Sequence, residues 1–168
     1  MKNLILLLFL VGIMNPIWGQ TDPVELKEIE LVAVNYKYLD ATTRDEVAVP
    51  VKKLEEMVAK FDIKSSEVYH DDYDLYEVSF FIPEGQILAA YDKDGKLLKT
   101  VERFKNVGLP GPVQKAIKAK YPDWTITKDI YKVNYTDDRG ADKIYKVRID
   151  KGEDRMRVKL DEKGNFQK

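Results

Sequence analysis

The chain has 168 residues, with 28 basic and 29 acidic side chains, a formal net charge of −1 and no cysteine. This excludes a disulfide-built scaffold and a thiol-ligated metal site, and the bulk charge implies neither nucleic acid nor an anionic membrane as partner. A chain near this length buries roughly 70% of its unfolded surface, so it folds without covalent staples.

Lys2, the apolar run Leu4–Met14 and the tail Asn15-Pro16-Ile17-Trp18-Gly19 form the three parts of a secretory signal. The run falls short of the about 20 residues that span a bilayer. Cleavage is expected between Gly19 and Gln20, leaving no stable membrane span; the alternative is an uncleaved N-terminal anchor. Residues 20–48 are then a polar lead-in followed by a strand, Ile29–Leu39, rich in β-branched and aromatic residues. Asp40–Glu46 reads as a turn.

Pro50–Phe61 reads as a helix, with Leu54, Met57, Val58 and Phe61 at helical spacing and Pro50 suited to its first turn. Asp71–Ile82 leads into a strand that puts Tyr76, Val78, Phe80 and Ile82 on one face. Pro83-Glu84-Gly85 turns into strand Gln86–Tyr91, and Asp92–Gly95 turns into Lys96–Phe104. A second helix, Pro112–Tyr121, presents Val113, Ala116, Ile117 and Tyr121 and stops at Pro122. Thr125–Tyr135, Lys143–Asp150, Arg155–Asp161 and Asn165–Gln167 complete a meander, with a turn at Thr136–Asp142.

Leu75–Lys99 lies over Ile144–Lys168 without a gap. Tyr76/Tyr145, Val78/Val147, Glu84/Glu153, Asp92/Asp161, Gly95/Gly164 and Lys99/Lys168 are identical, with apolar residues matched between them. Leu109-Pro110 likewise answers Val49-Pro50. One supersecondary unit used twice explains this, so residues 49–106 and 107–168 are read as tandem repeats. Each is a helix packed on three to four antiparallel strands, an α+β architecture. The second unit has more chain between its helix and the shared tyrosine, as a fuller first hairpin.

The run Ala90-Tyr91-Asp92-Lys93-Asp94-Gly95-Lys96-Leu97, then Leu109-Pro110, then Val113…Ala116-Ile117…Tyr121-Pro122 resembles the PepSY-like family of secreted proteins, common in Bacteroidetes. The closing Ile144-Tyr145-Lys146-Val147 and Leu160-Asp161-Glu162-Lys163-Gly164-Asn165-Phe166 resemble it too. The resemblance covers roughly Val49–Lys168. It implies a β-lactamase-inhibitor-protein-like fold and an extracytoplasmic, non-enzymatic domain whose ligand is generally unknown.

No motif carries catalysis or a cofactor. His70, the only histidine, stands among Asp71, Asp72 and Asp74 without a second histidine or cysteine to complete a zinc shell. Asp92–Gly95 and Asp161–Gly164 start like calcium loops, but their glycines arrive too early, so they read as hairpin turns. One constellation remains. If Tyr145, Val147 and Ile149 point inward, Lys146 and Arg148 point outward; if Met156, Val158 and Leu160 point inward, Arg155, Arg157 and Lys159 point outward. The repeat partners of these five cations, Glu77, Ser79, Gln86, Leu88 and Ala90, are acidic, neutral or apolar. The expected function is binding of an extracytoplasmic protein or anionic polymer on that basic face, in the periplasm or outside the cell. The alternative is inhibition of an exported hydrolase through hairpin loops such as Pro83–Gly85 and Thr136–Asp142. The bland reading of the face is a solvated surface rich in Lys and Arg.

Overall fold

The structure is a computed structural model that describes residues 35–43 and 47–168. The signal segment, and most of the expected strand Ile29–Leu39, lie outside the described residues. The C-terminal part of that strand is a helix instead: α1 spans Tyr36–Thr43. Asn35 begins it by accepting the Tyr38 and Leu39 amides on its carbonyl. Its side chain also ties the helix down, accepting from Leu97 N and donating to the Ala59 carbonyl. Tyr38 and Thr42, one turn apart, are buried on one face. The β-propensity of these residues is overridden by burial of that face, because propensity is a weak prior against tertiary packing.

Helix α2, Val49–Lys60, buries Val51, Leu54, Val58 and Ala59, and with them Glu55. Met57, expected in the apolar stripe, faces solvent at 57% exposure. Helix α3, Gly111–Lys120, buries Val113 and Ile117. Neither α2 nor α3 has a side-chain cap at its start, where the preceding residues are Ala48 and Pro110.

The strands are β1 Leu75–Ile82, β2 Gly85–Asp92, β3 Leu97–Lys105, β4 Thr125–Thr136, β5 Gly140–Lys151, β6 Asp154–Leu160 and β7 Phe166–Gln167. They form one seven-stranded antiparallel sheet in chain order. The junction is continuous, with Lys99 to Lys105 of β3 paired against Thr136 to Ile130 of β4. The fold is therefore α+β, with the three described helices on one face of the sheet. Tyr91 Oη donates to the Val58 carbonyl of α2 at 2.7 Å, and Tyr38 Oη of α1 reaches Glu102 of β3 at 2.8 Å. At the far end Tyr121, just past α3, packs edge-on against Phe166 of β7.

The hairpin turns after β2 and β6 are built alike. Asp92 Oδ1 accepts from Asp94 N and Lys96 N, while Asp161 Oδ1 accepts from Lys163 N and Asn165 N. Gly95 and Gly164 take φ of 83° and 86°, the left-handed region that glycine enters without a Cβ clash. The calcium-loop likeness of these segments is thus a turn in which the aspartate holds backbone amides.

Candidate functional site

Alternation along the strands sends Tyr131, Val133, Tyr135, Tyr145, Val147, Ile149, Val158 and Leu160 into the core. The residues between them form an outer face that no described helix covers. On β4–β6 that face is basic. Lys128, Arg148 and Arg157 lie opposite one another in one row, and Ile130, Lys146 and Lys159 in the next. Arg103 and Lys132 form a third row across β3 and β4, and Lys105 extends the second. Adjacent strands stand about 4.8 Å apart, so these charges sit in direct lateral contact range.

All five cations expected on this face are there, but they are not equivalent. Asp150, on the same face of β5, takes Arg148 Nη2 at 2.9 Å and Arg155 Nε at 3.7 Å. Arg148 Nε also donates to Thr127 Oγ1 at 3.0 Å. Lys159 Nζ donates to the Lys168 carbonyl at 2.8 Å. Lys146 and Arg157 make no side-chain hydrogen bond or ion pair among the described residues. The net result is two like-charged cross-strand pairs, Lys146 with Lys159 and Arg148 with Arg157, with Asp150 compensating at the edge. Like charges directly opposite on a sheet are destabilising, by roughly 0.2–1 kcal/mol each.

The β1–β3 half of the outer face differs. Phe81, Leu88 and Val101 are exposed there, at 67%, 38% and 42%. Leu88 and Val101 are direct cross-strand neighbours, with Ser79 on the other side of Leu88.

Other sequence candidates are not brought into a site. His70 is exposed and makes a 3.5 Å contact from Nδ1 to Asp72 Oδ2, while its backbone carbonyl accepts from Tyr76 Oη. Among the described residues no three His, Cys, Asp or Glu side chains converge as metal ligands. The Thr136–Asp142 segment is not a free loop: Asp137 holds Lys37 of α1 at 2.8 Å and Lys96 at 2.6 Å. Those two ammonium groups hold the Asp137 carboxyl down at about 2.

The inner face contains a polar cluster that the sequence reading missed. Glu55 of α2 and Glu102 of β3 are buried at 0% and 1% exposure, with Lys143 of β5 at 6%. Glu102 Oε1 accepts from Tyr38 Oη at 2.8 Å and Thr100 Oγ1 at 2.7 Å. Glu55 lies within side-chain hydrogen-bonding reach of Glu102 and of Thr42. Burial pushes both carboxyls up, and Glu55 is raised further by Glu102, while Lys143 pulls both the other way. The two carboxyls are coupled, so both hold protons to higher pH than an ordinary carboxyl, and a proton is shared between them beside Lys143. Strand parity contained a signal for it. Glu102 lies between inward Thr100 and Phe104, and Lys143 lies two residues before inward Tyr145.

Together these features define a class: an α+β protein with an antiparallel sheet helix-covered on one face, and a basic surface on the other. No family model matches the chain, and no curated protein matches it. Among solved structures it is similar to a DUF2874 family protein from Bacteroides ovatus ATCC 8483. The two are 15% identical over 60% of this chain and 70% of that one, with a TM-score of 0.34. A likeness that distant transfers no site residue. No described helix is long and apolar enough to cross a membrane.

Proposed function

We propose that the protein is an exported, non-enzymatic binding module of two PepSY-like repeats, which receives an anionic polymer on the outer face of β4–β6. The observation that carries this reading is the juxtaposition of like charges, Lys146 opposite Lys159 and Arg148 opposite Arg157, with the β5 carboxylates of that face, Asp142 and Asp150, outside those pairs. A face selected only for solubility intersperses both signs and avoids that repulsion. A polyanion laid across the strands meets successive rows of cations and relieves it. The spread over three strands favours an extended polymer over a small anion; an acidic protein surface is the competing occupant.

The repeat reading is supported by the matched aspartate turns at Asp92 and Asp161, and by the order in which α2 comes directly before β1–β3 and α3 directly before β4–β7. Export rests on the sequence of Met1–Gly19 alone. For hydrolase inhibition through hairpin loops, the ion-paired Asp137 and the close approach of Gly85 to the Arg103 carbonyl leave two tethered loops.

The test is retention on immobilised dextran sulfate, compared with immobilised polyglutamate, for the protein and for the triple variant Lys146→Glu, Arg157→Glu, Lys159→Glu. Retention of the parent on dextran sulfate, lost in the variant with its thermal unfolding unchanged, is expected. Equal elution of both proteins overturns the basic-face reading. Retention on polyglutamate alone moves the partner to acidic protein.

A further inference from the structure

The two edges of the sheet are guarded differently. At one edge β7 has two residues, and the part of β6 beyond it carries Asp154, Arg155 and Arg157. Short strands, charges, prolines and bulges are the devices that keep open edges from pairing with other chains. At the other edge β1, Leu75–Ile82, has none of them. It is 8 residues long, pairs with β2 without a register shift, contains no proline and has Glu77 as its one charge. Among the described residues no strand lies on its far side.

The hydrogen-bonding parity of that edge follows from the turn beside it. Lys105 N donates to the Glu84 carbonyl, so Glu84 and, by alternation, Gln86 and Leu88 direct their backbone groups to β3. Gly85, Ile87, Ala89 and Tyr91 therefore face β1, where they meet Ile82, Phe80, Val78 and Tyr76. The amides and carbonyls of Leu75, Glu77, Ser79 and Phe81 are left pointing to the open edge. The side chains of these residues are exposed as well, Leu75 at 55% and Phe81 at 67%. Unmade backbone hydrogen bonds beside exposed Leu and Phe are what strand addition uses.

We propose that a second copy of this chain adds to this edge, β1 against β1 in antiparallel pairing about a two-fold axis, joining the two sheets into one. The open backbone groups and the side chains select the register. Leu75 falls opposite Phe81 of the partner subunit and Glu77 opposite Ser79 of the partner subunit, with Val78 facing its own copy at the centre. This register engages every open residue, for about eight backbone hydrogen bonds. It pairs the exposed apolar side chains across the strands and keeps Glu77 from facing Glu77. The two Glu77 carboxylates are then exposed diagonal neighbours at about 7–8 Å, where solvent screens them. The neighbouring register in one direction sets Glu77 against Glu77; in the other it sets Glu77 against Phe81 and Leu75 against Pro83. Such self-complementarity is what a two-fold interface requires. Both outer faces then lie on one side of the joined sheet, so one polymer can reach both basic surfaces. That consequence rests on the polyanion reading, whereas the pairing does not.

The experiment is sedimentation equilibrium of the full chain from micromolar to millimolar concentration. A monomer–dimer equilibrium is expected. Ser79→Pro removes an amide that points only to the open edge and leaves the β1–β2 ladder intact, while Phe81→Lys changes an exposed side chain. Each should raise the dimer dissociation constant at least about tenfold with the circular-dichroism spectrum unchanged. Val78→Cys reads the register, since the chain has no cysteine of its own. Val78 meets its own copy in a non-hydrogen-bonded pair, a close spacing that a disulfide spans, so this variant should oxidise to a covalent dimer faster than Ser79→Cys. A monomer at every concentration overturns the proposal, including one whose Glu77 and Ser79 amides are protected from exchange by its own N-terminal segment. So does a dimer that Ser79→Pro and Phe81→Lys leave unchanged, or cross-linking that is faster in Ser79→Cys than in Val78→Cys.

Discussion

The two faces of the sheet treat charge in opposite ways. On the inner face, Glu55 and Glu102 are buried beside Lys143, and the cluster is neutralised from within by a shared proton and one ammonium group. On the outer face, cations from β4, β5 and β6 stand opposite one another, with Asp150 engaging Arg148 and Arg155. Buried charge has to be balanced locally because desolvation makes an unpaired ion costly, whereas exposed charge is balanced by water and salt. The inner cluster is thus part of the fold, and the outer rows are available to a partner. Substitutions should therefore act on stability inside and on binding outside.

The largest effect is expected at Lys143. Lys143→Met leaves the charge on the carboxyl pair without its cation and should cost about 3–5 kcal/mol at pH 7, measured by urea unfolding. The loss should be smaller at pH 5, where both carboxyls hold protons. If Lys143→Met is as stable as the parent at pH 7, the inner half of the contrast fails.

The pH dependence of the parent has a definite sign. Both carboxyls titrate higher in the folded state than their ordinary value of 4.5, so the folded protein binds more protons than the unfolded chain. Stability from this pair is fully present below about 4.5. It is lost as pH rises through the folded values of about 7 and about 9. Thermal unfolding should therefore fall in midpoint from pH 5 to pH 9. Glu102→Gln keeps an acceptor for Tyr38 and Thr100 and should flatten that slope, making the variant more stable than the parent by about 1–3 kcal/mol at pH 9. A parent whose midpoint rises with pH over this interval contradicts the shared proton.

Outside, Asp150→Asn should release Arg148 and Arg155 and strengthen retention on dextran sulfate several-fold, with a stability change below about 1 kcal/mol. The smallest effect is expected for Lys159→Gln, which relieves the repulsion with Lys146. It should leave unfolding unchanged or raise stability by about 0.2–1 kcal/mol. A marked loss of stability there would mean that the outer cations hold the fold.

Much of this architecture is readable from pattern alone. Alternation at Tyr76–Ile82 and Tyr145–Ile149, the aspartate–glycine turns, and helical spacing at Leu54, Val58, Val113 and Ile117 each have a local cause and appear where that cause puts them, whereas Met57 of the expected stripe faces solvent and Phe61 and Tyr121 lie just past the helix ends. Helix α1 does not, because Asn35–Leu39 has strand composition and its helical state depends on Asn35 reaching Ala59 and Leu97, far away in sequence. The outward direction of Lys146, Arg148, Arg155, Arg157 and Lys159 follows from parity. Asp150, which neutralises two of them, shares that parity and was equally visible. Glu55 and Glu102 stayed hidden because charged residues are expected at the surface, and only their placement among inward neighbours argued otherwise.

The central claim, a basic outer face that receives a polyanion, is tested most directly by the salt dependence of dextran sulfate affinity in the parent and in the Lys146→Glu, Arg157→Glu, Lys159→Glu variant. The account predicts steep weakening with salt in the parent, and in the variant a much lower affinity with a shallower slope and an unfolding midpoint no lower than the parent's. The same affinity and the same slope in both proteins would contradict it.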